Sequence, residues 1–264
     1  ERNGRMVLSR LRQEGTIARA ELARRSKLSR STVSSIVAGL LAAKLVRETG
    51  SGDSRGGRRA IMIALNEHPR YVVGVGIGGG MLTLLAVDLV AAVLLRKQRA
   101  FAVASGPHAC VAQVAALLSH MLSEAGISRG NLLGVGVGVP GIVASATGRL
   151  AAPALSPGWH DAPLRAMLES SLDLPVIVEN NARLGALAEH RRGAARGWNN
   201  VVYLFLGSLG VSCGFILDGR LYRGDMGAAG DIGQLPVVHQ AGDASPAAPP
   251  RSLQAAAGTP ALLA

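Results

Sequence analysis

Cysteine is almost missing from this chain of 264 residues. The two present, Cys110 and Cys213, cannot supply a disulfide framework, and so few thiols fit a reducing cytoplasm. Lysine is nearly as rare, with only Lys27, Lys44 and Lys97 among the 28 Lys+Arg. Together with abundant Ala and Gly, that bias fits a GC-rich coding sequence rather than a function. No secretory leader is readable, because the basic N-terminus runs straight into amphipathic helical periodicity. Glu1 stands where an initiating Met would, which implies a trimmed start. A membrane span is also lacking. Val72 to Val87 carries no charge, yet its five glycines, its β-branching and Asp88 directly after it fit buried strands joined by a tight glycine turn.

Acidic residues are few where basic ones gather. Residues 1–70 hold 15 Lys+Arg against 6 Asp+Glu, whereas the remaining 194 hold 13 against 11. Most of the net charge of +11 therefore sits at one end, as expected of a module that docks on polyphosphate. A merely solvated basic surface would not also show an ordered pattern, and this segment does.

Met6, Val7, Leu8 and Leu11 share one helical face, which Gly15 ends. Arg19 to Arg25 predicts a short helix with Leu22 and Ala23 inward, Ser26-Lys27-Leu28 a turn, and Ser29 an N-cap. Val33, Ile36, Val37, Leu40 and Leu41 then recur at helical spacing and bury one face. Ser29, Arg30, Ser31, Thr32, Ser34 and Ser35, at the start of that helix, are the candidate base readers. Helix-turn-helix proteins insert that end into the major groove, where Arg grips guanine bidentately and hydroxyls serve base or phosphate. Leu45–Glu48 and Ala60–Leu65 read as strands around a loop, 50–59, whose Arg55, Arg58 and Arg59 suit phosphates or a narrow minor groove. A three-helix protein-binding module with a charged hairpin is the alternative, disfavoured because helix order, turn length and wing charge agree.

The remaining 194 residues are enough for a core of their own. Strands are expected at Tyr71–Ile77, Leu82–Leu89 and Val93–Val103, then a helix at Pro107–Ala125 and a strand at Leu132–Val139. A helix near Leu164–Ser171, strand Val176–Val178, helix Ala182–Arg192 and strands Val201–Leu206 and Cys213–Leu217 follow. Hairpin strands followed by strand–helix alternation predict α/β with a mixed sheet.

Three segments carry a resemblance: Gly134-Val135-Gly136-Val137-Gly138-Val139-Pro140-Gly141, Glu179-Asn180-Asn181-Ala182-Arg183, and Gly224-Asp225-Met226-Gly227-Ala228-Ala229-Gly230-Asp231-Ile232-Gly233-Gln234. With Gly56-Gly57-Arg58-Arg59 in the wing, they resemble the ROK family of sugar kinases and repressors, from about Arg5 to about Gln254. The resemblance implies an N-terminal winged helix-turn-helix before an actin-like, ribonuclease-H-like sugar-kinase core. Departures from the family pattern are informative. Where its kinases have Asp-x-Gly-Gly-Thr, this chain has Gly76-Ile77-Gly78-Gly79-Gly80, without the carboxylate and hydroxyl that phosphoryl transfer needs. The family's Glu-Asn-Asp ends here in Asn181, and an amide cannot act as the base. The second phosphate loop, Gly207-Ser208-Leu209-Gly210, matches loosely, so these glycines read better as tight turns. The family's zinc ligands are replaced by Gln234, Ser245, Ala247 and Ser252, which do not make a tetrahedral zinc site, while Gln254 stands at a Glu position and His239 is alone. Cys213 reads as a small packed hydrophobe.

By resemblance, Asn180 and Asp231 grip sugar hydroxyls, with Asn181 and Gln234 able to donate and accept. Capping of the following helix would select Asn180-Asn181 equally well. The domains expected are 1–68, winged helix-turn-helix; 69–240, kinase-like sensor; and 241–264, a low-complexity disordered tail on a C-terminally incomplete fold. The whole predicts a cytoplasmic repressor that binds operator DNA as a homodimer or higher homo-oligomer and responds to a sugar or sugar phosphate. No catalytic residue, metal, cofactor or membrane partner is expected. An active carbohydrate kinase with a basic extension and a ligand-independent DNA-binding protein are the alternatives.

Overall fold

The N-terminal periodicity resolves into α1 (Arg2–Glu14), β1 (Ile17–Ala18), α2 (Arg19–Ser26), α3 (Arg30–Ala42), β2 (Val46–Ser51) and β3 (Ile61–Leu65). The computed structural model describes residues 2–51, 60–66, 70–151, 158–207, 210–237 and 251–258, in two compact units. The first unit is Glu1–Val72 with Ala86–Leu94 and Ser128–Leu133. One buried cluster unites Val7 and Leu11 of α1, Leu22 and Ala23 of α2, Val33 and Val37 of α3, and Val46, Ile63 and Leu65 of the strands. Ile36, Leu40 and Leu41 pack against its rim, as does Val90 from the segment Ala86–Leu94. Gly15, at φ +73°, turns the chain out of α1 with its N–H on Leu11 O at 2.9 Å.

These strands form a sheet of order β1-β3-β2, with Ile17 opposite Ile63 and Val46 opposite Leu65. β2 runs on to Ser51, past the expected end at Glu48, with a register irregularity between the two. The two-residue β1 was not expected, since so short a strand has no periodicity to read.

The chain continues through β4 (Tyr71–Gly78), β5 (Met81–Asp88), β6 (Val93–Ala100), α4 (Gly106–Ala125), β7 (Leu132–Val139), β8 (Ile142–Ala144), β9 (Arg149–Ala151), α5 (Leu164–Leu172) and β10 (Val176–Asn180). Gly79 and Gly80 join β4 to β5 with φ of +59° and +73°, the pair of positive values that a type I′ turn demands. The five-stranded sheet has order β10-β7-β4-β5-β6, and β10 lies parallel to β7 with Asn180 opposite Val139. Val73, Val75 and Ile77 alternate inward along β4, as do Leu82, Leu84 and Ala86 along β5. α4 buries Cys110, Val114, Leu118 and Met121 along one stripe. The expected strand to Val103 stops at Ala100, and Val103–Ser105 is a 3-10 turn leading into α4.

Beyond them come α6 (Asn181–Arg192), β11 (Val201–Gly207), β12 (Gly210–Leu217), β13 (Arg220–Tyr222), β14 (Pro236–Val237), β15 (Arg251–Ser252) and α7 (Leu253–Ala257). α6 lies close on β11 and β12: a Cβ on Gly185 would come within 2.5 Å of Tyr203, and one on Gly214 within 2.4 Å of Ala182 O. The opposite side of β11 exposes Val202, Leu204 and Leu206.

The disorder expected of 241–264 does not hold for Arg251–Gly258. Arg251–Ser252 pairs with Pro236–Val237, Leu253 N bonds Leu235 O at 2.8 Å, and Ser252 caps α7 by accepting from Ala255 N. Residues 241–250 and 259–264 lie outside the described residues. Composition misses this ordering because a distant strand supplies the hydrogen bonds.

Candidate nucleic-acid interface and sugar site

The turn between α2 and α3 is tight. Lys27 takes a left-handed φ of 55°, and Leu28 N returns to Ala23 O. The buried Ser26 hydroxyl donates to Leu22 O at 2.7 Å. Ser29 caps α3, its Oγ accepting from Thr32 N at 3.1 Å and lying 2.7 Å from Thr32 Oγ1 and 2.9 Å from Ser31 Oγ. Those contacts commit Ser29 and Thr32 to the helix start. Arg30, Ser31, Ser34 and Ser35 are exposed along one edge, extended by Ala38 and Gly39, which the sequence reading omitted. Apart from Arg30, that edge is small, so the helix backbone can approach a groove floor closely.

Charge around the helix start is partly self-neutralised. Glu21 accepts from Arg24 Nε at 2.8 Å and from Arg25 Nε at 2.5 Å, and Glu14 pairs with Arg25 at 2.6 Å. Hydrogen bonds from Arg24, then Arg25, hold the Glu21 carboxyl at about 2, down from 4.5. A depressed folded-state value means that this contribution to stability is present above pH 4.5 and is lost as pH falls towards 2, a small effect at an exposed site. Lys27 and Arg30 have no such partner among the described residues. They line, with Arg24 and Ser29, a groove between α2 and α3. The wing arginines Arg55, Arg58 and Arg59 lie outside the described residues.

Replacing Arg30 with Ala should cost about 1–3 kcal/mol at a specific site if it reads a guanine, with little change on random DNA. Fluorescence anisotropy against both DNAs measures this, and equal losses on the two would make Arg30 a backbone contact.

The second candidate site forms where β10 passes into α6, at the C-terminal ends of parallel strands, the usual ligand edge of α/β sheets. Asn180 is buried, its Oδ1 accepting from Ala182 N at 2.8 Å and Arg183 N at 3.2 Å while its Nδ2 donates to Gly141 O at 2.9 Å. The capping role anticipated for it is therefore real, and one Nδ2 hydrogen has no partner among the described residues. Asn181 Nδ2 donates to Ile77 O at 3.0 Å. Gly138 makes room for it, since a Cβ there would sit 2.5 Å from Asn181 Oδ1. Thus the glycine-rich run in β7 has a packing reason at that position.

Asp231 and Gln234 are exposed on the segment Gly224–Gln234. This segment is tied to β10 through residues that sequence reasoning missed. Buried Glu179 accepts from Arg183 Nη1 at 2.8 Å and from Arg223 Nε at 2.7 Å, and Arg183 Nη2 donates to Gly227 O. The sequence signals were the i,i+4 spacing of Glu179 and Arg183 and their place at the two ends of the family-like segment Glu179–Arg183. Gln254 reaches the same neighbourhood, its N–H on Gly233 O at 2.8 Å.

The residues at the zinc positions do not fit the metal. Ser252 is a helix cap, Gln234 offers an amide, and Ser245, Ala247 and His239 lie outside the described residues. Burial pushes the Cys110 thiol up to about 12 and raises that of Cys213, so both stay protonated and pack as apolar groups. Ser208 and Leu209 of the second phosphate loop are outside the described residues, and the flanking Gly207 and Gly210 pair across a hairpin. No helix of the described residues is long and apolar enough to cross a membrane.

A model of the ROK family matches residues 72–249, and one of winged helix-turn-helix DNA-binding domains matches residues 1–47. The chain is 30% identical over 235 residues to the xylose repressor of Bacillus subtilis, covering 89% of this chain and 60% of that protein. To a glucokinase of Halalkalibacterium halodurans it is 32% identical over 173 residues, covering 66% of this chain and 52% of that one. Among solved structures, a ROK family transcriptional regulator described as a homolog of the E. coli MLC protein has TM-score 0.78 at 22% identity. That likeness, over 99% of this chain and 65% of the other, is one of fold. The chain spans 58–60% of the length of the repressors it matches over most of its own.

Proposed function

The chain belongs to the ROK family, and on that premise we propose that it is a sugar-responsive, DNA-binding transcriptional repressor that does not phosphorylate its sugar. One observation carries the reading: at the position of the family's catalytic base stands Asn181, an amide already donating to Ile77 O. An amide has no accessible basic pKa, so the sugar hydroxyl proton has no acceptor there. The capped helix α3, on a basic winged module, supplies an output other than catalysis.

In this scheme a homodimer places two copies of α3 in successive major grooves of a pseudo-palindrome. Arg30 reads a base, while Arg55, Arg58 and Arg59 hold phosphates or the minor groove. The sugar hydroxyls meet the remaining Nδ2 hydrogen of Asn180, the amides of Asn181 and Gln234, and the Asp231 carboxylate. Relatives named xylose repressors make a pentose the first ligand to try. Sugar and operator bias one equilibrium, so each must change the other's affinity by the same factor. Asp231→Ala should abolish the sugar response and leave unliganded DNA binding intact.

The similarity to a glucokinase favours a second reading, an active kinase with a basic extension. A coupled assay with ATP, magnesium and a panel of monosaccharides separates them. The repressor reading expects no sugar-dependent turnover, together with selection of a discrete operator from random DNA. Turnover that disappears in Asn181→Ala would sink the first reading, and equal affinity for operator and random DNA would sink both its DNA and its regulatory parts.

A further inference from the structure

Glu179 and Arg183 stand four residues apart across the end of β10 and the first turn of α6, and both are buried. The Arg183 side chain is only 2% exposed. Its two Nη groups go to different elements, one to Glu179 Oε1 at 2.8 Å and the other to the carbonyl of Gly227. Glu179 is shared further, with Oε2 accepting from Arg223 Nε at 2.7 Å and Oε1 from the backbone N–H of Asn180 at 2.8 Å. A buried charge pair is weak evidence of stability, because desolvation offsets much of the attraction. Capping does not require the pair either, since the Asn180 side chain already caps α6. Its distinct consequence is to fasten one end of the segment Gly224–Gly233.

That segment fastens itself only through short turn bonds, Asp231 N to Ala228 O at 3.1 Å and Ile232 N to Gly230 O at 3.0 Å among them. Glycine recurs at every third position, Gly224, Gly227, Gly230 and Gly233, and gives it few side chains to pack. Gly227, Gly230 and Gly233 are there because the backbone passes too close to its neighbours for a side chain. A Cβ on Gly227 would sit 2.3 Å from Val143 O, and one on Gly230 1.9 Å from Cys213 O. Cys213 N holds Gly230 O at 2.7 Å on one flank, and Arg183 holds Gly227 O on the other. Asp231 follows directly after Gly230, four residues beyond the carbonyl that Arg183 holds.

We propose that Arg183 is a positioning residue: by clamping Gly227 to Glu179 it fixes the segment that carries Asp231 and Gln234 relative to the Asn180–Asn181 helix start, and so sets sugar affinity. The proposal rests on the assignment of those four residues to a sugar site. Arginine is the side chain suited to the task, because its planar fork reaches two acceptors at once whereas a lysine ammonium is a single point charge.

The test uses the full chain and two readouts, hydrogen exchange of peptides covering 224–233 and calorimetric titration with D-xylose and D-glucose. Arg183→Gln strands the Glu179 carboxylate and risks misfolding, so the main variant is the pair Arg183→Met with Glu179→Gln, which removes both charges. In the pair, exchange across 224–233 should quicken roughly tenfold while α4 is unchanged. Affinity for whichever sugar binds the wild type should fall roughly tenfold. Arg183→Lys should recover only part of each, as it keeps the charge and loses the fork. Unchanged exchange across 224–233 would overturn the clamp, and faster exchange with unchanged sugar affinity would overturn its link to binding. A wild type that binds neither sugar fails the sugar-site assignment, and with it the affinity half of the proposal, while exchange still decides the clamp.

Discussion

Leu22→Ala should destabilise the winged helix-turn-helix unit by about 2–5 kcal/mol and, on the proposed function, abolish specific DNA binding. Leu22 is fully buried in the cluster that joins α1, α2, α3 and the wing strands. So small a core has little stability in reserve, and a loss of that size is a large share of the total for a domain of about 70 residues. The cost has two parts, the lost transfer of apolar atoms and the cavity that three packed helices cannot close. Urea denaturation followed by hydrogen exchange in α1 to α3 resolves this unit from the other, and anisotropy on operator DNA gives the functional consequence. Full operator affinity in the variant, with exchange in α3 unchanged, would show that Leu22 is not central to the fold of this unit.

The second large effect is expected at Trp159. Its indole is fully buried and donates from Nε1 to Val103 O at 2.7 Å, tying the segment at residue 159 to the 3-10 turn that leads into α4. Trp159→Ala should cost about 3–5 kcal/mol through the cavity. Trp159→Phe keeps most of the apolar volume, leaves the Val103 carbonyl without its donor, and should cost about 1–3 kcal/mol. Trp198 is 67% exposed, so the blue-shifted part of the emission reports Trp159 alone. Melting temperatures followed by far-ultraviolet circular dichroism order the three proteins. If Phe proves as damaging as Ala, the hydrogen bond outweighs the packing, contrary to this account. Sugar affinity should drop in Trp159→Ala only as far as folding does, because the indole is not one of the candidate ligand groups.

What the sequence by itself determined is the local and the periodic. Val33, Ile36, Val37, Leu40 and Leu41 at helical spacing, with Ser29 before them, were enough to place α3, its cap and its outward edge. Gly79-Gly80 between two alternating strands was enough for the first hairpin of the sheet, because two consecutive positive φ values leave little choice but glycine. The amide at position 181, and what an amide cannot do chemically, were also legible in one letter.

Only the tertiary structure decided the rest, and each case turns on a partner far away in the chain. Arg183 stood in the family-like segment with no role of its own, and only the fold shows it buried, with its two Nη groups on Glu179 and on Gly227 O. Arg251–Gly258 has the composition of a linker, yet Pro236–Val237 and Leu235 give its backbone a place to bond. β1 exists because Ile63 offers an edge to Ile17, which no pattern of two residues can announce. Capping of α6 by Asn180 was legible in the sequence, but the bond from its Nδ2 to Gly141 O, 39 positions away, was not. Periodicity encodes which face of an element turns inward, whereas the identity of the group waiting there belongs to the fold.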